Sequence, residues 1–390
     1  MTFPRYEGLD GLRVAASFGI VFLHVTVAAG SPNALELFLK FRDSALPLMV
    51  MASFFLLTVS LTRKPDGGFA GFFSRRLKRL WLPLIVWSFV YSLTEAFVIP
   101  VLFGFAPAGE MPSPIVFFTG YRHLWFLQFI FVGSLLIYPF ICWLNGERKP
   151  ARAKLSFFCF CLTFLYGFLF YSFLKNYTDW DSFSPETDGN LKLFISQAGN
   201  YILYIPIAVG CGLMRGRIND LFARAAFRRL SLAVVLVAMA IHVGTNGVPF
   251  TKEIYGIAVF LAALQPWKKI PSRTLQTLAS YSYGIYILHF LPVQILWMFV
   301  AYRNFEPGGA AVFGITVIVY FTSLAAAALI RKLFPAEWLL PLVPISRASE
   351  PQNPADKNFS RSGAWQSRFV FLNLNSLQTQ TALRGNTDKK

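Results

Sequence analysis

Charge is scarce in this chain. Of its 390 residues only 14% are Asp, Glu, Lys or Arg, against roughly 25% in an ordinary soluble domain. That is too little charge to clothe a water-facing surface, which excludes a soluble globular enzyme. Acidic groups are scarcer still, 19 against 36 Lys and Arg, leaving a formal charge of +17. Histidine and cysteine occur four times each. Cys142, Cys159, Cys161 and Cys211 all lie in apolar stretches without metal-type or redox spacing. Cys159 and Cys161 are two apart, so on a helix they face different ways. Structural zinc and a Cys-x-x-Cys redox centre are therefore excluded, no metal is expected, and the thiols read as inert.

What the chain has in abundance is apolar sequence. Hydrophobic residues make up 55% of it, phenylalanine alone supplies 42, and mean hydropathy is +0.51. Ten apolar segments approach the roughly 20 residues that span a bilayer. They lie near 10–30, 45–62, 82–104, 124–144, 155–174, 199–214, 229–247, 252–266, 278–301 and 310–333. The segments at 199–214 and 252–266 are short and could be re-entrant or tilted. The expected fold is all-α, a polytopic membrane protein of about ten transmembrane helices with the lipid bilayer as its solvent.

In a soluble protein a charge of +17 would suggest nucleic acid. Here the basic residues fall between apolar segments, so no nucleic-acid partner is expected. Alternate connections at 63–80, 146–154, 215–228 and 267–277 hold seventeen Lys and Arg, and the five opposite ones hold seven. By the positive-inside rule both termini are cytoplasmic, as for a multi-pass protein of the inner (cytoplasmic) membrane. The opposite connection Lys175 to Ala198 carries Asp179, Asp181, Glu186 and Asp188 and is a segment that could meet a hydrophilic substrate. Val27-Ala28-Ala29 loosely resembles a signal cleavage site. Glu7 and Asp10 in the leader, and polar residues inside the apolar run, favour a retained first span. A membrane domain of residues 1–340 is expected to precede a polar cytoplasmic tail, 341–390, too polar to build a core and so disordered.

The chemistry-bearing residues are few enough to take singly. Arg13 and His24 are eleven residues apart in the first apolar segment. That is about three helical turns, or ~16 Å of rise, which returns both to one face. Ionisable groups inside hydrocarbon are costly and usually line a cavity or pathway. The plain alternative for Arg13 is a snorkelling anchor paired with Asp10, and for His24 an interhelical hydrogen bond. A neutral imidazole there could instead take a proton from a hydroxyl. Arg76 and Arg79 share a helix face at i,i+3 and could hold phosphates, or could be topological charge alone. His123 and Trp125 sit at the far end of the fourth span, where belt chemistry is the ordinary explanation. Ser282, Tyr286 and His289 recur at helical spacing and give one span a polar face. His242 has no such context and reads as structural.

Four blocks together resemble the acyltransferase-3 family of integral membrane O-acyltransferases. Leu9-Asp10-Gly11-Leu12-Arg13, ten residues and His24 match its first block. Arg76-Leu77-Lys78-Arg79-Leu80, followed by Pro83, matches the core of its basic block. His123-Leu124-Trp125-Phe126-Leu127 and Ser282 through His289 match two more. The resemblance covers about residues 5–335 and is greatest to short, single-domain members. One position departs: Phe54 follows Ser53 where such proteins carry Ser-Gly-Phe/Tyr-Leu, which bears on helix packing.

The resemblance implies transfer of an acyl group, commonly acetyl, from cytoplasmic acyl-CoA to a hydroxyl of an envelope glycan or lipid-linked sugar. Acyl-CoA (acetyl-CoA) would be a co-substrate, with no permanently bound cofactor. It implies His24 as base or transient acyl carrier and Arg13 as the residue positioning the donor. Arg76 and Arg79 would hold CoA phosphates, and His123, Trp125, Ser282, Tyr286 and His289 would line the route or orient the carbohydrate acceptor. Two other function classes remain open from the residues alone. One is a transporter or exporter of a polysaccharide or small anion; the other is an interaction protein acting through its tail.

Overall fold

Alternating apolar runs and basic connections fold into a bundle in which every described element is helical. The computed structural model describes residues 6–29, 44–63, 68–104, 122–146, 150–177, 198–245, 251–265, 272–303 and 307–334. The helices are α1 (Glu7–Ala29), α2 (Ala45–Arg63), α3 (Gly68–Leu102) and α4 (Trp125–Gly146). They continue as α5 (Pro150–Tyr177), α6 (Tyr204–Leu213), α7 (Arg215–Ala223) and α8 (Ala225–Gly244). The remaining four are α9 (Thr251–Ala263), α10 (Ser272–Leu288), α11 (Phe290–Arg303) and α12 (Gly309–Leu333). The expected acidic connection and polar tail fall largely on residues 178–197 and 335–390, outside the described residues.

Helix α1 is the axis of the bundle and touches α2, α9, α10, α11 and α12. Its Ala16, Ile20, Val21 and Val25 are almost completely buried. Helices α5 and α8 lie at the periphery and present Leu162, Tyr166, Leu236 and Val237 outward. Exposed apolar faces of this length are what a lipid-solvated helix shows.

Among the described residues seven helices are long and apolar enough to cross a membrane, or nine if each of two bent pairs is one span. Ten were expected. The shortfall is the segment near 252–266: α9 has 13 residues, a rise of about 20 Å against the ~30 Å of a hydrocarbon core. It buries Tyr255, Ala258 and Phe260 inside the bundle. The short segment at 199–214 is half of a bent pair, turning by 74° into α7.

Two expectations are corrected, and a proline shapes the backbone beside each. Residues 63–80 were expected as a loop, yet α3 is helical from Gly68, so the basic block rides on a helix. Pro83 has no N–H to offer the Arg79 carbonyl. The helix widens into a π-turn at Leu77–Trp81, with the Leu82 N–H reaching the Leu77 carbonyl. The released Arg79 carbonyl accepts the Tyr283 hydroxyl at 3.0 Å instead. Likewise 278–301 was expected as one span, but it breaks at His289 into α10 and α11, bent by 44°. Pro292 cannot donate to the Leu288 carbonyl, four residues back, and its ring crowds that turn.

The departure at Phe54 has a counterpart on the facing helix. A Cβ built on Gly133 of α4 would lie 2.7 Å from the Phe54 ring. At this contact the small residue is on the partner helix. At Gly212 of α6 an added Cβ would meet Thr58 Cβ at 2.7 Å and the Phe55 carbonyl oxygen at 3.3 Å. Gly212→Ala is therefore expected to destabilise the bundle by about 1–3 kcal/mol through overpacking. Gly314→Ala, with nothing within 4 Å, should leave the melting temperature of the purified protein unlowered. Equal melting temperatures for both variants would refute the close α2–α6 approach.

Candidate functional site

The 3.6-residue period puts Arg13 and His24 on one face of α1, and that face meets α10. Near one end of the pair Arg13 donates to the Ser282 hydroxyl at 3.2 Å and stays within 3.9 Å of Asp10. The Ser282 hydroxyl, fully buried, in turn donates a hydrogen bond to the Ala279 carbonyl at 2.8 Å. Arg13 thus pairs with Asp10, the plain alternative read from sequence, and also reaches across to a second helix. One residue further on, Tyr283 binds the Arg79 carbonyl, so α10 ties α1 to the basic block of α3.

On that block Arg76 and Arg79 are half-buried while Arg75 and Lys78 are exposed. The two arginines, expected to share a helix face, are the less exposed pair of the block. The Arg76 guanidinium lies 5.3 Å over the Phe72 ring, a cation–π contact that fixes its direction. Phe72 in turn stacks on Tyr138 of α4.

About three turns along α1 from Arg13, three of the four histidines converge. The ring centroid of His24 lies 5.1 Å from that of His289 and 6.0 Å from that of His123; His123 and His289 are 5.4 Å apart. Phe290 stacks on His123 at 4.3 Å and closes the group from one side. His123 and His289 are buried, whereas His24 is half-buried. The Tyr286 hydroxyl donates to the His123 carbonyl, and the Tyr91 hydroxyl to the Ile287 carbonyl. These clamps join the turn before α4 to α3 and α10, although residues 91, 123 and 286 are remote in sequence.

His289 sits at the α10–α11 break, and the break determines its chemistry. Its Nδ1 is 2.7 Å from the Tyr286 carbonyl and 3.1 Å from the Ile285 carbonyl. Carbonyl oxygens only accept, so Nδ1 carries the proton. In the neutral ring Nε2 is then a bare lone pair, buried and without a hydrogen-bond partner among the described residues.

A cavity of about 460 Å³ opens beside the cluster, lined by His24, His123, Trp125, Tyr286 and aromatics that include Tyr201 and Trp297. Trp125 and Tyr201 stack at 5.6 Å with their planes 19° apart. The structure therefore brings His24, His123, Trp125 and Tyr286 to one cavity with His289 behind them. Arg13, Ser282, Arg76 and Arg79 are not among its lining residues and form a second, basic group further along the same helices. The cavity carries imidazoles for proton transfer and flat rings for an apolar ligand face. No group of three or more His, Cys, Asp or Glu among the described residues has metal-binding geometry. Among the three rings, His123 meets His24 and His289 edge to face, and His24 and His289 are tilted by 43°. His242 lies on α8 against Thr251 and Tyr255. Sequence reasoning missed Tyr201 and Trp297, whose only signal is the aromatic character shared by many residues of this chain.

A family model described as an acyltransferase domain covers residues 6–332, from the start of α1 to the end of α12. No curated protein and no solved structure matches the chain.

Proposed function

The chain belongs to the acyltransferase-3 family of integral membrane acyltransferases, and from that premise we propose that it moves an acyl group, acetyl in the simplest case, from cytoplasmic acyl-CoA to a hydroxyl of an envelope sugar. It is an acyltransferase of groups other than aminoacyl, built on several membrane-crossing helices. The observation carrying the finer reading is the position of His24. It is the half-buried member of the imidazole cluster and lines the cavity, with His289 behind it.

In this reading the sugar enters the cavity and lays an apolar ring face on Trp125 or Trp297. His24 removes the proton of its hydroxyl as that oxygen attacks the thioester carbonyl. The C–S bond breaks, and the CoA sulfur leaves with the proton returned from the imidazolium. His289 Nε2 can accept a hydrogen bond from His24 and hold its ring in place, as the third member of a nucleophile–base–orienter array does. The donor lies on the other side. Arg76 and Arg79 bind its phosphates, and Arg13, held by Asp10 and Ser282, guides the thioester along the α1–α10 face. The basic end faces the cytoplasm of an inner membrane and the cavity faces away, in keeping with the loop charges.

Membranes containing the protein are expected to release CoA from acetyl-CoA only when an acceptor glycan is present, with acyl mass appearing on the glycan. Glycan movement without thioester consumption would instead support a transporter. The donor site has its own test. Arg76→Gln with Arg79→Gln should raise the KM for acyl-CoA by about tenfold or more, for two lost charge-assisted contacts, with kcat at saturating donor nearly unchanged. An unaltered KM would remove these arginines from the donor site.

A further inference from the structure

Consecutive residues of α10 hold two cationic residues that stand on different helices. Ser282 receives the Arg13 guanidinium of α1 at 3.2 Å, and the Tyr283 hydroxyl donates to the Arg79 carbonyl of α3 at 3.0 Å. Neighbouring side chains on a helix point about 100° apart, so one turn of α10 reaches both partners. The two bonds differ in kind. Arg13 is held by its side chain. Arg79 is held by its main chain, so the bond places the residue without using its guanidinium. The Arg79 end needs such a bond because its own helix does not supply one. Pro83 has no N–H for the Arg79 carbonyl, and the π-turn at Leu77–Trp81 departs from the regular helical period. A phenol suits the task. Its apolar ring packs against the core of the bundle, and the donor sits at its far end.

We propose that Tyr283 is a positioning residue that sets the register between Arg79 and Arg13, so that one donor molecule engages both at once. The proposal rests on Arg13, Arg76 and Arg79 binding acyl-CoA. Such a donor carries its phosphates at one end and its thioester at the other, joined by a flexible chain. Two cationic sites at a fixed separation bind it more tightly than either binds its half, because the second contact becomes intramolecular. The gain fades when the separation drifts. At the Arg13 end the cation is fixed twice, through Ser282 and through Asp10 at 3.9 Å. At the Arg79 end the Tyr283 hydroxyl ties the main chain to the same turn of α10. Phenylalanine at position 283 would keep the ring and remove the tie.

Equilibrium dialysis of the intact protein in phosphatidylcholine nanodiscs, with no acceptor present, tests this with two probes. S-acetonyl-CoA, a ketone that cannot transfer its acyl group, spans both sites. Adenosine 3′,5′-bisphosphate has phosphates and nothing to reach Arg13. Tyr283→Phe should weaken S-acetonyl-CoA binding about two- to tenfold, the worth of one hydrogen bond, and leave the bisphosphate affinity unchanged. Arg76→Gln with Arg79→Gln should weaken both probes. A further variant separates register from stability. Adding Pro83→Ala to Tyr283→Phe returns an N–H that can reach the Arg79 carbonyl four residues back. The double variant should regain melting temperature without regaining S-acetonyl-CoA affinity, because the main chain is then satisfied within α3 and no longer tied to α10.

Three results would overturn the register role while the donor site stands on the arginine variant: equal weakening of both probes by Tyr283→Phe, no weakening of S-acetonyl-CoA, or recovery of its affinity in the double variant. If the arginine variant binds both probes as the wild type does, the donor reading itself falls and the register role falls with it.

Discussion

Replacing His24 by alanine is expected to leave a chain that inserts and folds but transfers acyl groups about 10²–10⁴-fold more slowly, the usual worth of a positioned general base. A thousandfold loss corresponds to about 4 kcal/mol of transition-state stabilisation. The fold should tolerate the change because His24 borders an open cavity. Removing the ring enlarges that space and leaves no sealed void, unlike truncation of a buried core residue. His289 is buried and does not line the cavity, and His123 lines it but is otherwise buried, so the loss of either would be harder to separate from misfolding. The measurement is kcat beside melting temperature for the purified variant. Full turnover by His24→Ala would remove it from the chemistry. Incubating the wild-type protein with acyl-CoA and no acceptor distinguishes its two possible roles. A proton-transferring His24 leaves the intact mass unchanged, and an acyl-carrying His24 adds one acyl group.

Much of this site was legible because helices repeat. The eleven-residue spacing of Arg13 and His24, and the recurrence of Ser282, Tyr286 and His289, each define a face from sequence alone. That the two faces meet was not legible. The Arg13–Ser282 bond joins residues 269 apart, and no local pattern encodes such a pairing. The basic block was misjudged for a different reason. Arginine and lysine between apolar runs signal a membrane boundary, but both are good helix formers and continue a helix as readily as a loop. Pro292 did announce the break at His289, yet hydropathy averaged over the segment hid it. The fit of Phe54 against Gly133 is beyond single-sequence reasoning, because the two residues meet only when their helices pack. The same holds for Tyr201, which acquires meaning only where it stacks on Trp125.

His289 yields the sharper experiment because its two ring nitrogens have different neighbours. Nδ1 anchors the broken turn through the Tyr286 and Ile285 carbonyls, and Nε2 faces the cluster as a lone pair. Asparagine can reproduce the Nδ1–H donor but has nothing at the position of Nε2; glutamine reaches the Nε2 position but gives up the anchor. If His289 orients His24, His289→Asn should fold with a near-native melting temperature, keep both KM values and lose about 10–100-fold in kcat. That is the range seen when outer-shell support of a functional imidazole is removed. His289→Gln should show the reverse balance: a lower melting temperature, because the Tyr286 carbonyl loses the Nδ1–H while the Ile285 carbonyl keeps only the backbone N–H of residue 289, with part of the kcat restored by an acceptor near His24. A residue that merely plugs the α10–α11 kink would follow melting temperature alone, and kcat per folded molecule would stay constant across both variants. The split between kcat and stability therefore decides whether the break in α10 serves catalysis or only the path of the chain. Pro292, by forcing that break, is what allows a histidine at this depth to hold one nitrogen fixed while the other remains available to its neighbour.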